Sequence, residues 1–341
     1  MTEGNQTDAR LYNHAFELLQ AHESMLSDAR RNRPFQRALK KLVRPDSAVL
    51  DIGAGTGVWA ITAAQLGAKK VVAIERDPLL IGIIKGLAYA NDVSDRVEVI
   101  EGDSRQIFLP KEFDLLVTET IGNIGFEEQI VSIALDARKR FLKSDGAVIP
   151  ESVTLVAAAG NLLKEHQTLP AGVPLDYREF ETLALHAPVE MRRHVRYRIV
   201  SEPRDLIRTD LAHAEMLPDL TDLTACWQEL NAAAVNCFAV WADATLTCGV
   251  RLSSLKTASW TPVFYRIRPL EQKNGCVEFK LSLRPETNYW SVSMTSGQQR
   301  EMQSYSPAFA AAELTARART DAAAFAQLKR LGLLSNHIPR N

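Results

Sequence analysis

Between residues 46 and 150 the chain repeats one pattern: a short apolar run, a polar or glycine turn, then an amphipathic stretch. Apolar runs at 49–52, 71–74, 97–100, 113–117 and 147–149 have the length and Val/Ile/Leu content of strands buried on both faces. The stretches 58–66, 78–90 and 127–142 space their apolar residues as helices do, with Ile130, Ile133, Ala134, Ala137 and Phe141 turned inward in the last of them. The alternation predicts an α/β fold with a doubly wound, Rossmann-like parallel sheet. Ahead of it, residues 11–42 read as helical, with Phe16, Leu18, Leu19, Met25, Leu26, Phe35, Leu39 and Leu42 at helical spacing. Arg30, Arg31 and Arg33 interrupt this pattern, either as a solvated face or as part of two helices folded over a ligand with one arginine reaching a carboxylate.

From Ser152 the period changes to two. Runs at 153–157, 195–200, 237–246, 260–267, 277–283 and 290–294 alternate as antiparallel strands do, with Pro and Gly between them, and predict a β-barrel-like second domain. A proline-rich stretch, about 160–230, is expected to be an irregular, partly helical insertion, and the alanine-rich segment 306–335 a helix. The domains expected are thus N-terminal helices at 1–45, a ligand-binding α/β domain at 46–150, the β domain at 151–300 and a helical tail at 301–341.

Composition narrows the function classes. With 40 Lys+Arg against 41 Asp+Glu the net charge is −1, so neither nucleic-acid binding nor membrane-surface attachment is expected. No apolar run is long enough to span a bilayer, and the polar, acidic first residues do not read as a secretory signal. Cys226, Cys237, Cys248 and Cys276 lie far apart with no CxxC pair, which favours reduced, packing cysteines in a cytoplasmic protein and no metal site.

Four places carry candidate chemistry. In VLDIGAGTG, residues 49–57, a strand carrying Asp51 runs into Gly53, Gly55 and Gly57, glycines that let the backbone turn tightly and approach a ligand. The spacing is GxGxG, not the GxGxxG of dinucleotide sites. The second strand ends at Glu75, where an acid suits two ribose hydroxyls, and the third ends in Glu101-Gly102-Asp103-Ser104, a turn placed to flank an adenine. The fourth strand runs into Glu119, a loop with Gly122 and Gly125, and Glu127-Glu128. Two carboxylates on one bent loop can grip a guanidinium through paired hydrogen bonds.

With these residues in view, the chain resembles the protein arginine N-methyltransferase family, from Tyr12 to Met294 and most strongly at 12–31, 49–57, 71–78, 114–150 and 258–267. The resemblance implies S-adenosyl-L-methionine as methyl donor and an arginine guanidino group as acceptor. It further implies that His22 lies beside the cofactor, that Arg31 holds the carboxylate of the donor's methionine part, and that Gly53, Gly55, Gly57 and Glu75 bind its nucleoside, with Asp51 and Ser104 in the same cofactor set. Met25 would shape the transfer pocket, Trp260 would contact substrate, and Glu119 and Glu128 would form the clamp, Glu119 also facing the cofactor. Glu128, nine residues after Glu119, fits the family spacing better than Glu127. The chain departs from the family at Ser259, where a histidine partner for Asp28 is usual, at Phe16 for tyrosine, at Arg105 for an acid, and at Thr120-Ile121 for Trp-Met.

The acceptor implied is a protein, a peptide or free arginine, and a homodimer formed through an arm in the insertion is expected. Methyl transfer to another small-metabolite nucleophile, or a catalytically dead donor-binding scaffold, are the alternative functions. Guanidine nitrogens are poor nucleophiles, so orientation matters: near-attack alignment supplies up to about 7–11 kcal/mol.

Overall fold

The structure, a computed structural model, describes residues 3–163, 189–190, 196–271, 275–284 and 289–305. Two helices open the chain, α1 (Glu3–Ser27) and α2 (Ala29–Leu42). Asp28 separates them: its carboxylate accepts the amides of Arg30 and Arg31 and so caps α2. Lys40 and Lys41 in the last turn suit the negative end of the helix dipole.

The α/β unit follows, strand alternating with helix except between β3 and β4, where only a 3-10 turn (Ser104–Gln106) intervenes: β1 (Ala48–Ile52), α3 (Val58–Gln65), β2 (Lys70–Glu75), α4 (Pro78–Ala90), β3 (Val97–Glu101), β4 (Phe113–Thr118), α5 (Ile130–Arg140) and β5 (Leu142–Ile149). The sheet is parallel, in the order β3-β2-β1-β4-β5. Its central strands are buried on both faces, which is why they read as unbroken apolar runs. The order reverses between β1 and β4, and at such a switch point the carboxyl ends of neighbouring strands open a crevice. The glycine loop leaves β1 there, and Glu119 leaves β4 beside it.

The remaining strands are β6 (Ser152–Leu162), β7 (Val189–Glu190), β8 (Tyr197–Ile199), β9 (Arg204–Asp210), β10 (Leu223–Leu230), β11 (Cys237–Thr247), β12 (Val250–Ser253), β13 (Val263–Arg266), β14 (Gly275–Arg284), β15 (Tyr289–Ser296) and β16 (Gln299–Tyr305). One antiparallel sheet runs β7-β13-β11-β6-β8, with β12 on β11 and β9 on β6; the other runs β10-β14-β15-β16. Alternate residues of β14 (Val277, Phe279, Leu281, Leu283) point inward, and Phe279 stacks on Phe238 of β11 at 4.0 Å between ring centroids. That contact joins the two sheets through a common apolar core.

Several local expectations change. The helix expected from 127 starts at Ile130, because Gln129 adopts a left-handed φ of 63° and leaves Glu127 and Glu128 in the preceding turn. The last α/β strand begins earlier than expected, at Leu142. Where residues 160–230 are described beyond the end of β6, they form strands β7, β8, β9 and β10 joined by turns rather than helix, because each finds a sheet strand to pair with. Trp260 precedes β13 in a loop instead of starting the strand. Residues 164–188 of the expected insertion and the expected helix at 306–335 lie outside the described residues. Among the described residues, no helix is long and apolar enough to cross a membrane, and no group of His, Cys, Asp or Glu is arranged to hold a metal ion.

Candidate active site

A cleft of about 760 Å³ lies over the carboxyl ends of β1, β2, β3 and β4, within the ~300–1,000 Å³ range of small-molecule sites. It brings together His22, Met25, Arg31, Gly53, Gly55, Glu75, Ser104, Glu119, Glu128 and Trp260. Gly57 and Asp51 stand behind its wall.

The floor is the glycine loop. Gly55 has φ +59°, and a Cβ there would meet the ring of His22 at 2.9 Å, so the loop and α1 touch only because the side chain is missing. A Cβ at Gly53 would lie 2.7 Å from the Thr120 methyl, which places the glycine loop directly against the loop after β4. Glu75 braces the turn: one oxygen accepts the Gly55 amide at 2.8 Å and the other accepts the amides of Arg76 and Asp77. Asp51 is fully buried; one oxygen accepts the Ala60 amide at 2.9 Å, and the other, Oδ1, has no partner. Burial pushes this carboxyl up to about 7. Burial also lowers His22, outweighing the attraction of Glu75, and so favours a neutral ring beside the cleft.

The roof comes from α1 and α2. Arg31 is almost completely buried, which lowers its guanidinium to about 10 despite the charges of Asp28 and Glu128 nearby. Its Nη2 forms an ion pair with Glu119, and the guanidinium lies over the Trp260 ring, 5.2 Å from the centroid. Its Nε has no partner. Glu128 makes no hydrogen bond within the described residues. Its carboxyl is reached from the open cleft but crowded by protein on its other sides; desolvation raises it, with Arg31 and Arg76 pulling the other way. Glu127, by contrast, turns back into its own loop and accepts the amides of Ile124 at 2.9 Å and Phe126 at 3.2 Å.

The clamp loop is seated on the β half. A Cβ at Gly125 would fall 2.6 Å from Val153 and 3.1 Å from Ala242. Asn123 accepts the Ser254 hydroxyl at its carbonyl and the Thr261 amide at its side chain, both at 3.0 Å. On the other side, Asp28 Oδ2 accepts the Ala258 amide, the Ser259 amide and the Ser259 hydroxyl at 2.7–2.8 Å. Burial opposes the charge on Asp28, but these bonds outweigh it and hold the carboxyl below its ordinary range. One carboxylate thus caps the helix carrying Arg31 and anchors the loop carrying Trp260.

Comparison with known proteins shows relatives in sequence and in fold. A family model described as ribosomal protein L11 methyltransferase (PrmA) matches residues 36–153. An arginine N(omega)-methyltransferase from Streptomyces achromogenes subsp. streptozoticus is 32% identical over 247 residues, covering 68% of this chain and 66% of that protein. A protein arginine N-methyltransferase 6 from Danio rerio is 31% identical over 157 residues, covering 46% of this chain and 45% of that protein. The Trypanosoma brucei PRMT1 enzyme-prozyme heterotetrameric complex with AdoHcy has a TM-score of 0.71 at 20% identity, over 83% of this chain and 96% of that one. The chain is arginine methyltransferase-like. It spans only part of the curated relatives' length, 66% of one and 45% of the other.

Some features of this methyltransferase-like site gave no signal in the sequence. Asp28 was visible only as a partner that Ser259 had left without a histidine, yet it accepts five hydrogen bonds. Arg105 binds Asp103 through two nitrogens, at 2.9 and 2.5 Å, and donates to Gln129 at 2.8 Å, tying the turn after β3 to the residue next to Glu128. His14 reaches Asp77 at 2.7 Å and fastens α1 across the rim of the cleft. A local period predicts which face a residue takes; it does not pair residues 24 or 231 positions apart.

Proposed function

We propose that this chain is an S-adenosyl-L-methionine-dependent N-methyltransferase acting on an arginine guanidino group, with free arginine as the acceptor to test first. The observation that carries the reading is the guanidinium of Arg31, paired with Glu119 and stacked on Trp260: the cleft is already built to receive this cation. Glu128, on the same loop and without a hydrogen bond among the described residues, supplies the second carboxylate.

The residues fit the donor. Gly53 and Gly55 leave bare backbone at the β1 turn, Glu75 stands where ribose hydroxyls would bind, Ser104 lies in the turn that would flank the base, and His22 and Arg31 would hold the methionine end. When bound, the donor supplies a methyl group activated on a sulfonium. Glu119 and Glu128 orient the acceptor's guanidinium so that one nitrogen faces that methyl group, and Trp260 covers its flat face. The nitrogen that accepts the methyl must lose a proton. Glu128, made more basic by desolvation, is the group that takes it. Met25, half-buried at the wall, limits the room around the reacting nitrogen.

Three further features support the choice of acceptor, assembly and setting. The relative aligned over 68% of this chain is named for arginine itself, while the Danio rerio protein, named for protein arginine, aligns over 46%. The heterotetrameric trypanosomal neighbour supports self-association, proposed here as a homodimer and checked by light scattering. The four free cysteines support a reducing, cytoplasmic setting, checked by fractionation. The decisive test incubates the chain with methyl-labelled donor and either free arginine or arginine peptides, followed by mass spectrometry. Label on a guanidino nitrogen of free arginine is expected. Label on peptide alone moves the acceptor, and label on neither ends the proposal.

A further inference from the structure

The clamp loop contains a carboxylate that faces the loop itself. Glu127 lies beside Glu128, yet its oxygens accept the Ile124 amide at 2.9 Å and the Phe126 amide at 3.2 Å. Its own backbone amide adds a third bond. Gly122, at φ +67°, leaves the space the carboxylate fills: a Cβ there would sit 2.6 Å from Glu127 Oε2. Three amides converging on one carboxylate close a turn without regular secondary structure, since each amide would otherwise lack a partner. At the far end of the turn, Gln129 breaks into the left-handed region and α5 begins. Glu128 stands between this internal staple and that break.

We propose that Glu127 is a positioning residue for Glu128, stapling the loop from inside so that the neighbouring carboxylate is presented to the guanidinium. The inference rests on the reading of Glu119 and Glu128 as a guanidinium clamp. Glu127 also acts through charge. The charged groups around Glu128 are Arg31 from α2, Arg76 from the turn after β2, and Glu127 and Glu119 from its own loop. The charge of Glu128 raises Glu127; repulsion between like charges is mutual, so a charged Glu127 makes Glu128 the better proton acceptor. Removing it lowers the pH at which Glu128 becomes protonated.

The test is Glu127→Gln, which keeps the shape and one acceptor but loses the charge and the second acceptor. With wild-type methylation as the reference, kcat is expected to fall by about 10²-fold, the loss that an ångström-scale misplacement produces. Donor affinity, read by calorimetry, stays within about twofold, and the acid limb of the kcat–pH profile moves to lower pH. A purely structural role would not move that limb. A folded variant with wild-type kcat and an unmoved acid limb overturns the inference and leaves the clamp reading intact, whereas a wild type that methylates no guanidine overturns both. If Glu127→Gln does not melt cooperatively, Glu127→Asp replaces it: the charge stays, the arm shortens, kcat falls and the acid limb stays. Wild-type kcat in the Asp variant overturns the inference equally.

Discussion

On the α/β side of the cleft, most of the candidate groups sit within a few positions of a strand end: Gly53 and Gly55 after β1, Glu75 at the end of β2, Ser104 after β3, Glu119 after β4, with Glu128 further along the same loop. On the β side the contribution is one aromatic ring, Trp260, plus a set of grips on elements far away in sequence. The N-terminal helices and the α/β half therefore supply most of the groups, and the β half holds them in place. Parallel strands deliver their loops to one edge by topology alone, so chemistry accumulates there without long-range partners. An antiparallel sheet has no such edge, and its role here is to hold the clamp loop through Val153, Ala242 and Asn123 and the helix α2 through Asp28.

The sharpest way to break that division is to neutralise the groups on the α/β side. Glu119→Gln and Glu128→Gln should each lower kcat by about 10²–10³-fold, the range for losing one preorganised electrostatic partner; the melting temperature should stay near wild type in Glu128→Gln and fall in Glu119→Gln, which leaves the buried Arg31 guanidinium without its ion-pair partner. If either variant turns over at the wild-type rate in the label-transfer assay, the clamp is misassigned. Where the N-terminal helices are joined to the β side, the expected loss is stability. Asp28→Asn removes the charge that five donors share and turns a donor toward the Ser259 loop. It should cost about 3 kcal/mol in chemical denaturation, and Ser259→Ala, which deletes one bond of the five, about 1 kcal/mol.

The joint at Asp28 and the α/β half at Asp51 should also differ in the sign of their pH response. Asp28 is held below its ordinary range, so its stabilisation is complete above that range and disappears as pH falls through its folded value. Asp51 is held up near 7, so the folded chain keeps a proton that the unfolded chain has released. Stability attributable to Asp51 therefore falls as pH rises from the ordinary carboxylate range through about 7. Unfolding curves of Asp51→Asn across that window should show a flatter slope than wild type. An unchanged slope would mean that Asp51 is ionised in the fold. The smallest effect is expected where the link is exposed: Arg105→Gln should change stability by less than about 1 kcal/mol, as solvated ion pairs do. A larger loss would show that the Asp103–Arg105–Gln129 tether carries structural weight.

The α/β fold was legible because its determinants are local. Buried parallel strands write continuous apolar runs, a left-handed turn demands glycine, and the crevice follows from strand order. The β half was legible as a set of strands, but not as two sheets, since register depends on partners such as the Cys237–Arg266 and Leu223–Leu281 pairs that no local pattern encodes. The candidate site divides in the same way. Glycine spacing and strand-end acids marked Gly53, Gly55, Glu75 and Glu119 directly. Between Glu127 and Glu128 the chain alone offered only spacing; the fold separates them, turning one carboxylate onto the loop amides and leaving the other at the cleft. The pairing of Arg31 with Glu119 over Trp260, and the five bonds on Asp28, exist because α1 and α2 fold across the sheet and meet the β half. Residue types and their local period therefore determined which chemistry was present. Where each group points was decided by tertiary packing, because a side chain's hydrogen-bond partners are set by what the fold brings within about 3 Å of it.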